Sequence, residues 1–236
     1  MIKTYFNWST GKDSSMALYH LLKQETFNVD KLLTTINAHH NRVSMHGLQR
    51  ALLMQQVQSI GIPLTTVELP EEPTMEDYSR IMGETVNQLK NEGYANCGFG
   101  DIFLEDLRQY RESQLKGITC HFPLWKRDTK ALMKEFIELG FKAVVLCVNS
   151  EFLDESFVGR ELNEDFINDL PDNVDPCGEN GEYHTFCYDG PIFSEPIPFK
   201  RGEKILKRYK KPNASNESAE EEFGGHWFLD LIPIES

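Results

Sequence analysis

Along the first 150 residues, short apolar runs alternate with longer amphipathic ones. Residues 4–8 (Thr-Tyr-Phe-Asn-Trp) read as a strand, and residues 14–22 place Ala17, Leu18, Leu21 and Leu22 on one helical stripe. The next strand is predicted over 32–38. A helix follows over 48–60, with Leu53, Val57 and Ile60 in register and Gly61 and Pro63 ending it. Strand 64–69, helix 75–90 (terminated by Gly93), strand 95–99 and helix 104–116 continue the series. Asp128 caps a further helix carrying Leu132, Met133, Phe136 and Ile137, closed by Gly140. Residues 143–148 are a nearly unbroken apolar run, as expected of a strand covered on both faces. This β-α repetition predicts an α/β fold, a parallel sheet with helices on both sides. Such sheets bind ligands at the carboxyl ends of their strands, so candidate sites follow Trp8, Ala38, Leu69 and Phe99.

The rhythm changes after residue 150. A helix over 160–170 is expected, and then Pro and Gly crowd the stretch from Pro171 to Gly202. Strand-like runs at 183–188, 191–199, 204–209 and 227–232 make a small C-terminal β-rich region. Residues 210–225 are polar and acidic and read as a mobile loop. The expected division is therefore a nucleotide-type α/β domain over 1–150 and a smaller α+β domain over 151–236.

Charge narrows the function classes. Lys and Arg number 24 against 37 Asp and Glu, a net charge of −13. A chain this acidic is a poor general binder of nucleic acid or of anionic membranes, although a local basic pocket is compatible with it. Five cysteines with no C-x-x-C argue against a disulfide framework and a zinc knot. No apolar run approaches the ~18 residues of a membrane span. Residues 1–8 read as a strand and not as a secretory leader, so a cytoplasmic location is expected.

The strongest chemical signal is Trp8-Ser9-Thr10-Gly11-Lys12-Asp13-Ser14-Ser15, between the first strand and the first helix. Small residues expose backbone N–H groups, the hydroxyls add donors, and Lys12 and the helix start add positive charge. Together they form an anion cradle. It is neither a Walker loop nor a dinucleotide Gly-x-Gly-x-x-Gly turn. The plain alternative is an ordinary helix start with Asp13 or Ser14 as N-cap. Asp101, after the fourth strand, suits Mg²⁺ or Lys12, or else caps the next helix. Arg108 and Arg111 suit a phosphate or a surface ion pair, and Glu105 and Asp106 are first-turn helix acids. His39, His40 and His46 cluster after the second strand, but neighbours on an extended chain point apart, which argues against zinc. His39 or the backbone through Ala38 is expected to border an adenine, with His46 and Arg50 on one helical face. Glu179 and Glu182 stand three apart in a Gly-rich turn. They suit ammonium binding and proton transfer, or Mg²⁺, or simply an acidic turn. Tyr183, His184 and Thr185 are expected on the same wall. Cys177 has no visible histidine partner, and Cys97 and Cys147 read as packing residues.

Ser9-Thr10-Gly11-Lys12-Asp13-Ser14 resembles the PP-loop of the ATP pyrophosphatases, with Thr10 where Gly is common. Phe99-Gly100-Asp101-Ile102 with Arg108, the run from Asp175 to Phe186, and Asp189-Gly190-Pro191 are similar to the diphthine–ammonia ligase family. That resemblance implies a Rossmann-like adenine-nucleotide-hydrolase fold. It also implies ATP and Mg²⁺, adenylation of a carboxylate with release of pyrophosphate, and displacement of AMP by ammonia. Under it Lys12 and the loop from Trp8 to Ser15 hold the phosphates, with Ala38, His39 and Gly100 around the nucleotide. Asp13 and Asp101 handle metal or pyrophosphate, and Glu179, Glu182 and His184 face the acceptor and the amine. Asn180 and His184 stand where the family commonly has Gly and Glu, a version resembling its bacterial-type branch. The acceptor is thus either a modified elongation factor or a small metabolite, and a homodimer is allowed. A tRNA sulfur transferase fits the charge and the cysteines poorly, and a non-catalytic nucleotide sensor is the remaining alternative.

Overall fold

The computed structural model describes residues 1–44, 47–210 and 223–234. The first sheet contains β1 (Ile2–Asn7), β2 (Phe27–Asn37), β3 (Arg42–Val43), β4 (Leu64–Leu69), β5 (Asn96–Gly98) and β6 (Thr119–His121). Five strands are parallel in the order β4-β2-β1-β5-β6, and β3 pairs antiparallel with the end of β2. The connecting helices are α1 (Lys12–Leu22), α2 (Arg50–Ile60), α3 (Met75–Asn91) and α4 (Glu105–Gln114). Because β1 is central and the chain leaves it first for β2 and later for β5, its carboxyl end lies at the crevice where the winding reverses.

Side chains alternate across this sheet. Phe6, Leu32 and Ile36 enter a large core with α1 and α2, while Tyr5, Leu33, Val67 and Cys97 enter a smaller one under α3. Gly98 lets α1 sit close to the crevice, since a Cβ there would lie 2.4 Å from Leu21 Cδ1 and 2.5 Å from Phe6 Cδ2.

The second sheet is antiparallel, in the order β8 (Tyr183–Asp189), β7 (Lys142–Asn149), β10 (Phe223–Pro233), β9 (Phe199–Lys210). The helices α5 (Thr129–Glu138) and α6 (Glu164–Asp169) precede and follow β7. The apolar run in β7 thus belongs with the strands after it and not with the parallel set. Burial on both faces reports what covers a strand, not which way its neighbours run. The expected strand at 191–199 is irregular chain up to β9, consistent with its three prolines. The helix expected over 160–170 forms only over α6. The short polar strands β3 and β6 carry no apolar signal and were not expected. Of the polar stretch 210–225, Lys210 ends β9 and residues 223–225 begin β10, paired with each other, while 211–222 lie outside the described residues. Among the described residues no helix is long and apolar enough to cross a membrane.

The two sheets are joined where β8 meets the start of α1, and the Cys187 N–H donates to the Thr10 carbonyl at 2.9 Å. Phe186, fully buried beside it, lies opposite Val144 and has its ring 5.6 Å from that of Phe199. Phe186→Ala is expected to cost about 3–5 kcal/mol of stability, read as a fall in the urea midpoint at unchanged m-value. An unchanged midpoint would refute this account of the junction.

Candidate functional site

The turn after β1 runs into α1 with Gly11 as N-cap, a residue with no side chain to cap the helix. Asp13 and Ser14 are therefore not the cap. The hydroxyls of Ser14 and Ser15 instead donate back to the Gly11 carbonyl at 3.0 and 2.9 Å. This leaves the helix start facing a cavity of about 840 Å³.

Lys12 is buried, 3% exposed. Its Nζ donates to Asp13 Oδ2 at 2.7 Å and to the carbonyl oxygen of Cys177, and it lies 5.2 Å from the Tyr183 ring centre. The Lys12 N–H donates to Thr185 Oγ1 at 3.1 Å. Burial alone would lower the ammonium pKa, but Asp13, with Cys177 and Glu179 nearby, outweighs it and the net shift is upward. Burial raises the Asp13 carboxyl, opposed by Lys12.

The second wall is the turn from Cys177 to Thr185. Glu179 lines the cavity and accepts the Ile102 N–H at 2.9 Å. Burial, with Asp13 and Asp101 nearby, pushes its carboxyl up to about 7. Burial and the Lys12 charge push His184 down to about 4, so its imidazole is neutral. Glu182, expected to work beside Glu179, does not line the cavity. Its buried carboxylate accepts the Asp175 N–H (2.9 Å), the Asn180 N–H (2.9 Å) and the Asn180 side-chain amide (3.1 Å), which braces the turn. Burial pushes the Cys177 thiol up, and its sulfur donates to the Thr129 carbonyl at 3.5 Å, an arrangement for packing and not for attack.

Asp101 sits at the carboxyl end of β5, and the α4 N-cap is Leu104, so Asp101 does not cap that helix. Arg111 Nη2 donates to its Oδ1 at 3.1 Å, with Nε 2.9 Å from Oδ2. Arg108 instead pairs with Glu112 and covers the rings of Phe122 and Trp125. Gly100 allows the β5 turn to press on the loop, because a Cβ there would lie 2.9 Å from the Asp13 C and Ser14 N atoms.

Trp8, Ser9, Gly11, Lys12, Asp13, Ser14, Gly100 and Asp101 thus line one cavity with Glu179 and His184. Thr10 and Ser15 lie buried behind the loop, and Ala38 and His39 do not line the cavity. Arg50 pairs with Glu68, and His46 lies outside the described residues. Sequence reasoning missed Gln56. Its fully buried amide accepts the Trp8 indole N–H at 3.1 Å and donates to the carbonyls of Thr10 (3.1 Å) and Cys187. It also missed the apolar end of the cavity, where Tyr78, Met82, Val86, Leu107 and Tyr110 extend from α3 and α4.

Residues 2–118 match the model of the diphthamide synthase N-terminal domain, and residues 128–211 match that of the C-terminal domain. The chain belongs to the diphthamide synthase family. Similar curated proteins named diphthine–ammonia ligase include one from Danio rerio, 28% identical over 166 residues, 63% of this chain and 65% of that protein. One from Mus musculus is 33% identical over 88 residues, 35% of this chain and 33% of that protein. One from Schizosaccharomyces pombe is 32% identical over 78 residues, 31% of this chain and 13% of that protein. The matches therefore span less than two thirds of each relative.

Both diphthamide synthase domains contribute to the cavity. The N-terminal one supplies the loop, Asp101 and the α3–α4 end, and the C-terminal one supplies the turn from Cys177 to Thr185. In the loop, Thr10 has φ 73°, a left-handed conformation that costs an L residue about 1–2 kcal/mol. Its buried hydroxyl has no hydrogen-bond partner. Strain and the unpaired hydroxyl outweigh the lost methyl burial and glycine's entropy, each ~0.5–1 kcal/mol. Thr10→Gly is therefore expected to stabilise the protein by about 1 kcal/mol, a rise of about 2–4 °C in the thermal midpoint. A fall of that size would show that the hydroxyl is bonded in solution.

Proposed function

We propose that this chain is an ATP-dependent ligase of the diphthine–ammonia ligase kind. In this reading a carboxylate oxygen attacks the α-phosphorus of ATP and expels pyrophosphate. Ammonia then attacks the acyl-adenylate carbonyl, AMP departs, and an amide remains. The observation that carries the reading is the placement of a buried, charged Lys12 at an open helix start, with Glu179, a carboxyl held near neutrality, lining the same cavity.

The loop N–H groups and Lys12 would stabilise charge growing on the pyrophosphate, an electrostatic role. Ser9 and Ser14 would position the phosphates. Glu179, with a pKa near the operating pH, would take the proton of the attacking amine, and neutral His184 would contact acceptor or amine. Glu182 would act only by bracing the turn. Asp13 and Asp101 fit Mg²⁺ in chemistry, since both are carboxylates that line the one cavity, Asp101 against Arg111 and Asp13 against Lys12. The ion would neutralise polyphosphate charge there. We assign the nucleotide to the 1–150 part and acceptor and amine to the 151–236 part, whose sheet borrows β7. In this reading the acceptor is a carboxylate like that of diphthine, the compound in the relatives' names. A small metabolite is the competing outcome, and a cytoplasmic setting suits either.

With ATP, Mg²⁺, ammonium and acceptor, AMP and pyrophosphate are expected in equal amounts, and Lys12→Ala is expected to lower the rate by about 10²–10³. Orthophosphate as the sole inorganic product, or an unaffected Lys12→Ala, would overturn the reading.

The pH dependence is a separate check. The folded Glu179 carboxyl titrates at about 7 against the ordinary 4.5, so the rate should rise through about pH 7 as the base ionises. The same shift means that the folded state holds the proton more tightly. Glu179 therefore weakens folding progressively as pH rises from about 4.5 to 7. Glu179→Gln should lose the rising limb, and its thermal midpoint should gain on the wild type across that window. A profile flat through pH 7 in the wild type would remove Glu179 as the base.

A further inference from the structure

A second group of side chains with metal-binding chemistry lies away from the cavity. His39 and His40 occupy the turn between β2 and β3, and Glu71 follows β4. β2 and β4 are parallel neighbours with Asn37 opposite Leu69, so the two connections leave the sheet side by side. Asn37 ties them together. Its Nδ2 donates to the Glu71 carbonyl at 3.0 Å, and its Oδ1 accepts the His40 N–H at 3.0 Å. Glu71 Oε1 lies 3.4 Å from His39 Nε2 and 3.7 Å from His40 Nε2, and the two rings meet edge-on with centres 4.9 Å apart. All three donor atoms fall within 4.8 Å of one another. Residues 38–41 form a turn and not extended chain, so the side chains of His39 and His40 do not point to opposite faces.

We propose that His39, His40 and Glu71 bind one divalent transition-metal ion of the zinc class. Tetrahedral zinc with bonds of about 2.0–2.1 Å separates its donors by roughly 3.3 Å, close to the distances from Glu71 to each imidazole. Small rotations of these exposed side chains close the remainder. Two imidazoles and one carboxylate suit zinc, nickel or copper. Magnesium and calcium, which take oxygen ligands, are poorly served. Three protein donors leave a fourth position for water. A plain imidazolium–carboxylate pair is a weaker account. Exposed pairs are worth only about 0–1 kcal/mol, which gives no reason for both rings to converge on one oxygen. A bound ion would cross-link the turn after β2 to the connection after β4. None of these residues lines the cavity, so the site stands whether or not the ligase reading does.

The test is calorimetric titration of the untagged full chain with zinc chloride in excess Mg²⁺, paired with thermal melts. One equivalent should bind, and zinc should raise the midpoint of the wild type. His40→Ala and Glu71→Gln should each weaken binding by at least about tenfold. Without zinc these variants should melt like the wild type, since all three side chains are exposed. The chain also carries five cysteines. A zinc equivalent that persists in the His39→Ala/His40→Ala double variant would assign the ion elsewhere and overturn the proposal. Failure of the wild type to bind zinc would overturn it equally.

Discussion

One buried ammonium group organises the site. Placing Lys12 Nζ out of water is costly unless anions and carbonyls surround it, and its nearest partners come from two parts of the chain. Asp13 is its sequence neighbour, whereas the Cys177 carbonyl arrives from 165 residues away. Satisfying the lysine therefore requires the Gly-rich turn of the second sheet to close over the first-sheet loop. That closure carries Glu179 and His184 into the cavity. Thr185, Cys187 and Gln56 hold the same seam from behind, through hydrogen bonds to Lys12, Thr10 and Trp8. The two sheets thus share a working surface whose alignment rests on a handful of buried polar contacts. Each of these is worth more in the interior than it would be in water.

The loop and its flanking elements were legible because strand, small residues and amphipathic helix are all written locally. What the sequence hid was non-local or conformational. Gln56 looks like an ordinary polar position in α2, and only the fold reveals that it faces Trp8 and Cys187. Glu179 and Glu182 look equivalent at a spacing of three. Yet Gly178 and Gly181 adopt φ of 67° and 88°, and the resulting turn sends one carboxylate into the cavity and the other back onto its own N–H groups. The direction of β7 was illegible for a different reason, since an apolar run records covering and nothing else. Neither Ala38 nor His39 reached the cavity, because the chain turns immediately beyond β2.

The apolar end of the cavity shows a limit of periodicity as a guide. The sequence places helices at α3 and α4 without saying what they cover, and in the fold only Val86 and Leu89 of α3 are buried, while α4 has no buried residue. Tyr78, Ile81 and Met82 of α3 are only partly buried against the smaller core. Tyr78, Met82 and Tyr110 face a cavity that meets charged groups at its other end. A site built this way suits a ligand with a flat apolar part and an anionic part, as a nucleotide has.

Charge inside the cavity constrains how such a ligand arrives. Lys12 and Arg111 face Asp13, Asp101 and Glu179, so acids outnumber bases by three to two before any phosphate enters. Part of the elevation of Glu179 already comes from Asp13 and Asp101. A bare triphosphate would raise it further and drive the carboxyl to its protonated form, which cannot accept a proton from an amine. If Glu179 is to act as a base, the phosphate charge must be offset on entry. On the proposed reading, the nucleotide and its counter-cation therefore occupy the cavity as one species. The acidic lining then becomes part of recognition, because it disfavours the unpaired anion and accepts the neutralised one.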